Sequence, residues 1–139
     1  MTSRIFLDTG YVIALSVESD EHHNRAEELA EQLEAEATHL VTTRAILLEI
    51  GNALSKERYR QATAELLDSL EQDPLVEIIP LSEELFAQAF ELFRNRPDKE
   101  WGLVDCVSFI VMQENELTEA LTPDKHYEQA GFRALLRDE

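Results

Sequence analysis

Four acidic residues stand where an α/β chain would place chemistry: Asp8, Glu49, Asp105 and Asp124. Asp8 ends the apolar run Ile5-Phe6-Leu7 and is followed by Thr9-Gly10. Such a run reads as a strand buried on both faces, and in an open α/β sheet the carboxyl ends of the strands face the ligand crevice. Asp8 taken alone is also suited to start a turn or cap the next helix. Glu49 lies three residues after Ile46 and four before Ala53, on the apolar side of a helix. That puts it at the rim of a cleft or against a buried partner. Asp105 and Ser108 are the polar positions of the otherwise apolar Leu103–Met112. They share one face of a buried helix's first turns, where the positive end of the dipole favours a carboxylate. Asp124 follows a further strand pattern, Leu117 to Thr122, and opens a short helix with Lys125, His126 and Tyr127.

Carboxylates brought close together repel and raise one another's pKa, so an uncompensated cluster costs stability. A divalent cation resolves the conflict. Mg²⁺ and Mn²⁺ prefer oxygen ligands, and such an ion activates water and stabilises the charge of a phosphodiester under attack. Metal-dependent phosphodiester hydrolysis is therefore the chemistry these residue types support. The chain contains no GxGxxG, Walker A or GxSxG motif and no His/Cys zinc spacing. Asp8-Thr9-Gly10 is also the triplet of aspartic proteases, which need an all-β fold and a second copy, and this helix-rich chain has neither.

The elements that must position these groups alternate. Strands are expected at Ile5–Leu7, His39–Thr43, Val76–Ile79, Leu117–Thr122 and, as a final edge strand, Gly131–Leu136. Between them fall helices at Tyr11–Ser16, from an Asp20 cap through Ala37, at Arg44–Lys56, at Tyr59–Gln72, from Ser82 through Phe93, and at Leu103–Met112. The apolar positions Leu85, Phe86, Ala89, Phe90 and Phe93 are bulky enough to cover a sheet face or a dimer partner, with the core the preferred assignment. His22 and His23 are adjacent on a helix and diverge by about 100°, which argues against one metal between them. Alternating strands and helices predict a mainly parallel central sheet with helices on both faces, so that the four acids converge at one sheet edge.

The 139 residues are expected to form one domain, 1–139, with a real core. No apolar run reaches the roughly 18 residues of a membrane span, and no basic, then apolar, leader pattern opens the chain. A cytoplasmic protein with no membrane partner is expected. Cys106 is the single cysteine, which excludes an internal disulfide and a thiolate cluster. The net charge of −17 repels phosphate backbones as a whole-molecule field. It leaves open a nucleic-acid enzyme whose bound cation inverts the local charge. From Glu18 to Glu36 eight acids stand against Arg25 alone, as expected of a solvated helix face. Basic residues occur in patches, Arg44 with Lys56, Arg58 and Arg60, then Arg94, Arg96 and Lys99, then Lys125, His126 and Arg133, which would either track RNA or solubilise the surface.

Leu7-Asp8-Thr9, Thr42-Thr43 with Glu49, Asp105-Cys-Val-Ser108-Phe, and Leu121-Thr-Pro-Asp124-Lys-His-Tyr with Ala130-Gly131-Phe132 together resemble the PIN-domain ribonucleases, and within them the VapC-type toxins of toxin–antitoxin pairs. The resemblance covers essentially the whole chain. It implies a PIN-like, Rossmann-like three-layer α/β/α sandwich and an Mg²⁺- or Mn²⁺-dependent endoribonuclease acting on RNA, often a homodimer and inhibited by a small antitoxin protein. Asp8 and Asp105 would be the principal metal ligands, with Glu49 and Asp124 completing the acidic site directly or through water. Thr9, Thr43 and Ser108 would orient ligands or phosphate. Val104 departs from the pattern, because many relatives carry Thr or Ser before this aspartate, and the change removes a hydrogen bond. The alternative is a catalytically weak or inactive RNA-binding or protein-interaction module on the same scaffold.

Overall fold

A computed structural model of the chain describes residues 4–138, so residues 1–3 and 139 of the expected domain lie outside the described residues. Its centre is β1 (Arg4–Leu7), in which Ile5, Phe6 and Leu7 are each at most 1% exposed. Consecutive strand residues point to opposite faces, so burial of all three means that both faces of the sheet are covered. β1 pairs in parallel with β2 (His39–Thr43) on one side and β4 (Glu119–Leu121) on the other. β3 (Val76–Ile79) and β5 (Arg133–Ala134) complete a five-stranded sheet of order β3-β2-β1-β4-β5, parallel throughout. The strand order reverses at β1. That is the point where an open α/β sheet forms its ligand crevice, outside the carboxyl ends of β1 and β4.

Among the described residues, seven helices join and cover the strands: α1 (Thr9–Ser16), α2 (His23–Glu36), α3 (Arg44–Ala53), α4 (Glu57–Gln72), α5 (Glu83–Asn95), α6 (Leu103–Glu114) and α7 (Lys125–Gln129). The architecture is the expected α/β sandwich with a parallel sheet. Helix α6 is buried along Cys106, Val107, Ser108, Phe109, Val111 and Met112, as its apolar circumference requires. Cys106 is a core residue whose thiol burial pushes up to about 11.

Local chemistry corrects three boundaries and one helix face. Helix α2 begins at His23, later than an Asp20 cap would start it, because Asp20 Oδ1 accepts the His22 amide at 2.8 Å in a turn that precedes the helix. Helix α3 stops at Ala53, short of Lys56, because Leu54 is buried and the carbonyls of Leu54 and Ser55 accept from Thr63 Oγ1 and Arg60 Nη1 instead of continuing the helix. The last strand shrinks to Arg133–Ala134. Leu135–Arg137 forms a 3₁₀ turn that buries Leu135 and Leu136 and returns the Leu136 amide to the Thr122 carbonyl at 3.2 Å. The aromatic stripe of α5 is the fourth correction. Leu85 and Ala89 are core, but Phe86, Phe90 and Phe93 are 44%, 41% and 45% exposed. The helix packs on α6 through its small and aliphatic positions, so the three rings occupy the neighbouring, outward sector.

Candidate active site

At the carboxyl edge of β1 and β4 lies an open cleft of about 710 Å³. Asp8, Thr9, Glu49, Val104, Asp105, Asp124 and His126 line it, with Asp20, Glu21 and His22 at the start of α2. Six carboxylates thus face one cleft, and none of its described lining residues is Lys or Arg.

Asp8 leaves β1 and occupies the N-cap position of α1, yet its side chain makes no capping hydrogen bond across the first turn. Its Oδ2 accepts instead from Thr122 Oγ1 at 2.7 Å, and the same hydroxyl accepts from the Asp124 amide at 3.1 Å. Thr122 therefore ties the exit of β1 to the exit of β4. Gly10 permits this approach, because a Cβ there would stand 2.5 Å from Pro123 Cδ. Burial raises the Asp8 carboxyl to about 6, against the lowering by Thr122, Tyr127 and the Thr9 amide, while the nearby Asp105 charge adds a smaller upward push.

Glu49 is held from the α3 side, where Thr9 Oγ1 donates to its Oε1 at 2.5 Å. This is the rim-of-cleft placement that its position on α3 allows. Asp105 sits in the first turn of α6, and its Oδ2 accepts the Gly102 amide at 3.1 Å. Burial raises its pKa first and Asp124 second, opposed by the Gly102 amide and by His126. Asp124 caps α7 by accepting the His126 amide at 2.8 Å. The His126 ring then returns over the acids, with Nδ1 3.1 Å from Asp105 Oδ2 and 3.4 Å from Asp124 Oδ1.

One ligand atom from each of Asp105, Asp124 and His126 lies within 4.8 Å of the others. A hard or borderline divalent cation fits this set: two carboxylates, one imidazole and an open face for water. The upward push on both Asp8 and Asp105 is the cost such a charge would relieve. His22 and His23 point apart, as expected. His22 lines the cleft, while His23 Nδ1 contacts the Ala14 carbonyl at 2.7 Å.

The cleft brings together Asp8, Thr9, Glu49, Asp105 and Asp124, and it does not include two hydroxyls expected there. Thr43 is fully buried, and its Oγ1 accepts the Ile46 amide at 3.1 Å as the cap of α3. Ser108 is also fully buried, and its Oγ points into the interior without a hydrogen bond of regular geometry. His126 was not among the expected acid-site residues. Its ring reaches the site through a contact with Asp105, 21 positions away, which no local spacing announces. The basic patches are mostly self-satisfied surface: Arg44 pairs with Glu71, Arg94 with Glu91, Arg96 with Asp98 and Arg133 with Glu119 and Asp138.

A parallel α/β sheet with carboxylates gathered at its switch point defines a class, and residues 5–133 match the PIN domain model: the chain belongs to the PIN domain family. Among characterised proteins it is similar to the 23S rRNA-specific endonuclease VapC20 of Mycobacterium tuberculosis, with 26% identity over 128 residues, covering 92% of this chain and 95% of the relative. The crystal structure of that protein, described as a Sarcin-Ricin loop cleaving toxin, superposes with a TM-score of 0.79 at 25% identity and covers 92% of this chain and 95% of its own. FitAcB from Neisseria gonorrhoeae shares the fold, with a TM-score of 0.62 at 21% identity and 94% of each chain covered. The resemblance to VapC-type PIN proteins thus extends from motifs to the whole fold.

Proposed function

We propose that this protein is an Mg²⁺- or Mn²⁺-dependent endoribonuclease and the toxin half of a toxin–antitoxin pair. The observation that carries the reading is the convergence of Asp8, Glu49, Asp105 and Asp124 on one cleft, with Asp105, Asp124 and His126 within metal-ligand reach of one another. The likeness to a 23S rRNA endonuclease supports RNA as the substrate class. Asp8, Asp105 and Asp124 would hold the cation, with Glu49 acting directly or through water. When bound, the ion supplies a polarised water and a positive charge facing the phosphate. The chain's own part is to fix the carboxylates: Thr122 orients Asp8, Thr9 orients Glu49, and the Gly102 amide orients Asp105.

The reading predicts that purified protein cleaves RNA with Mg²⁺ or Mn²⁺ and that Asp8→Asn abolishes the cleavage. Undiminished cleavage by that variant would overturn the assignment. The carboxylate-rich cleft is also the electrostatic complement of an antitoxin side chain, an Arg inserted among the carboxylates from an amphipathic helix.

Partner surfaces favour one further reading. The outward rings of α5 are spaced 6.2 Å (Phe86 to Phe90) and 6.4 Å (Phe90 to Phe93), a continuous apolar stripe suited to self-association about a two-fold axis. The stripe also suits a protein-interaction module without catalysis. Calorimetric titration separates the two, because an absence of Mn²⁺ binding at millimolar concentration would favour the module.

A further inference from the structure

Tyr127 is the largest fully buried side chain of the fold, and its hydroxyl makes no hydrogen bond of regular geometry among the described residues. Its ring is locked edge-on against Phe109 at 5.0 Å and 86°, with Phe6 of β1 at 6.4 Å on another side. The aromatic cluster continues from Phe109 to Trp101 at 5.0 Å and to Phe132 at 5.8 Å, so the ring has no room to swing. The phenol oxygen is thereby delivered beside two groups, the Asp8 carboxylate and the Ser108 hydroxyl. Ser108 Oγ is equally buried and equally without a regular partner.

A phenylalanine would fill the same aromatic slot without burying a hydroxyl. Leaving buried polar atoms unpaired is costly, and a native structure that retains two of them side by side calls for a role. Both atoms are buried and neither residue lines the cleft that Asp8 faces. Thr122 already holds Asp8 Oδ2 from the β4 side. A second donor from the interior would leave the carboxylate no freedom to rotate away from the cleft. A neutral phenol is such a donor, and a serine hydroxyl behind it can donate to the phenol oxygen and so direct the phenol hydrogen towards the acid.

We propose that Tyr127 is a positioning residue for Asp8, its hydroxyl donating to the carboxylate and accepting from Ser108, so that a buried Ser108–Tyr127–Asp8 line sets the orientation of the cation-binding group. This rests on the metal-site reading of the cleft. It also gives Ser108 a task in the interior instead of at the phosphate. Groups that orient a ligand from behind typically change metal affinity by roughly 10–100-fold when lost.

The test is Tyr127→Phe, which keeps the ring and its packing, with Ser108→Ala as the second variant. Mn²⁺ affinity by calorimetry is expected to fall roughly tenfold in Tyr127→Phe and by less in Ser108→Ala, and metal-free Tyr127→Phe should also be less stable at neutral pH, where the ionised Asp8 has lost a donor. A purely structural tyrosine would lower stability with unchanged affinity. In parallel, the ¹³C carboxyl resonance of Asp8 followed against pH in EDTA should titrate higher in Tyr127→Phe than in the wild type. An unmoved Asp8 titration or an unchanged Mn²⁺ affinity in Tyr127→Phe would overturn this assignment alone. Wild-type protein that takes up no Mn²⁺ at millimolar concentration would overturn the proposed function, and the Asp8 titration would still decide whether the hydrogen bond exists.

Discussion

Asp8 combines the placements that make a carboxylate expensive: it is 7% exposed, flanked by Asp105, and lifted from 3.8 to about 6. The raised pKa means that the folded state binds this proton more tightly than the unfolded chain does. The stabilisation is therefore complete below about pH 4 and is lost as the pH rises through about 6. At neutral pH the ionised group costs about 3 kcal/mol relative to a carboxylate that stays at 3.8. Metal-free protein in EDTA should accordingly lose stability to urea between pH 4 and pH 7, apart from the opposite drift of other carboxylates. Asp8→Asn should flatten that loss and be the more stable protein at pH 7. A wild type and variant with parallel stability profiles would show that Asp8 is not strained. Stability and chemistry are thus set against each other in one side chain.

At the scale of elements, what positions the acids is the meeting of two strand exits, and that meeting depends on Gly10. Any side chain there must push Pro123 away, because even a Cβ would come within 2.5 Å of its ring. Gly10→Ala should cost about 1–3 kcal/mol in urea denaturation, the range for overpacking. It should also lengthen the Thr122 link between Asp8 and Asp124, lowering Mn²⁺ affinity in the same variant. Thr43 makes the contrasting prediction. Its hydroxyl is occupied in capping α3, so Thr43→Val should cost about 1 kcal/mol of stability and leave Mn²⁺ affinity at the wild-type value by calorimetry. A loss of affinity without a loss of stability would return Thr43 to the site.

These two residues also mark how far the sequence could be read. The strands, the parallel order, Asp8 and Asp124 follow from apolar runs that end in polar residues, and Glu49 and Asp105 from acids set on apolar helix faces, signals local to each element. Thr43 and Ser108 are assigned to the site by the family resemblance alone, but a hydroxyl at a strand end or on a buried helix can turn to the interior or to the cleft, and only tertiary packing decides. His126 escaped for the converse reason, since its function arises from a ring folding back over Asp105, a residue 21 positions away. The α5 stripe misled because periodicity reports that one helix face is apolar without reporting what covers it.

For the whole molecule, a charge of −17 and a cleft whose described lining residues include no Lys or Arg set the terms of every encounter. The long-range field opposes RNA, so association should quicken as salt screens it, the reverse of a basic nuclease. The charge also opposes self-association, which makes three exposed phenylalanines on one helix harder to explain as idle surface. A two-fold contact would pair the stripe with itself, with Arg94 packed over the Phe90 ring at 4.5 Å while it pairs with Glu91, so that the edge of the stripe is locally neutral. Light scattering at 0.15 M salt should then report twice the 15.9 kDa chain mass. Phe90→Glu, which adds a charge at the centre of the stripe and leaves Leu85 and Ala89 in the core, should return the mass to that of one chain without lowering the melting temperature by more than a few degrees. A wild-type mass of one chain would leave the stripe to a different partner and would detach self-association from the function of the cleft.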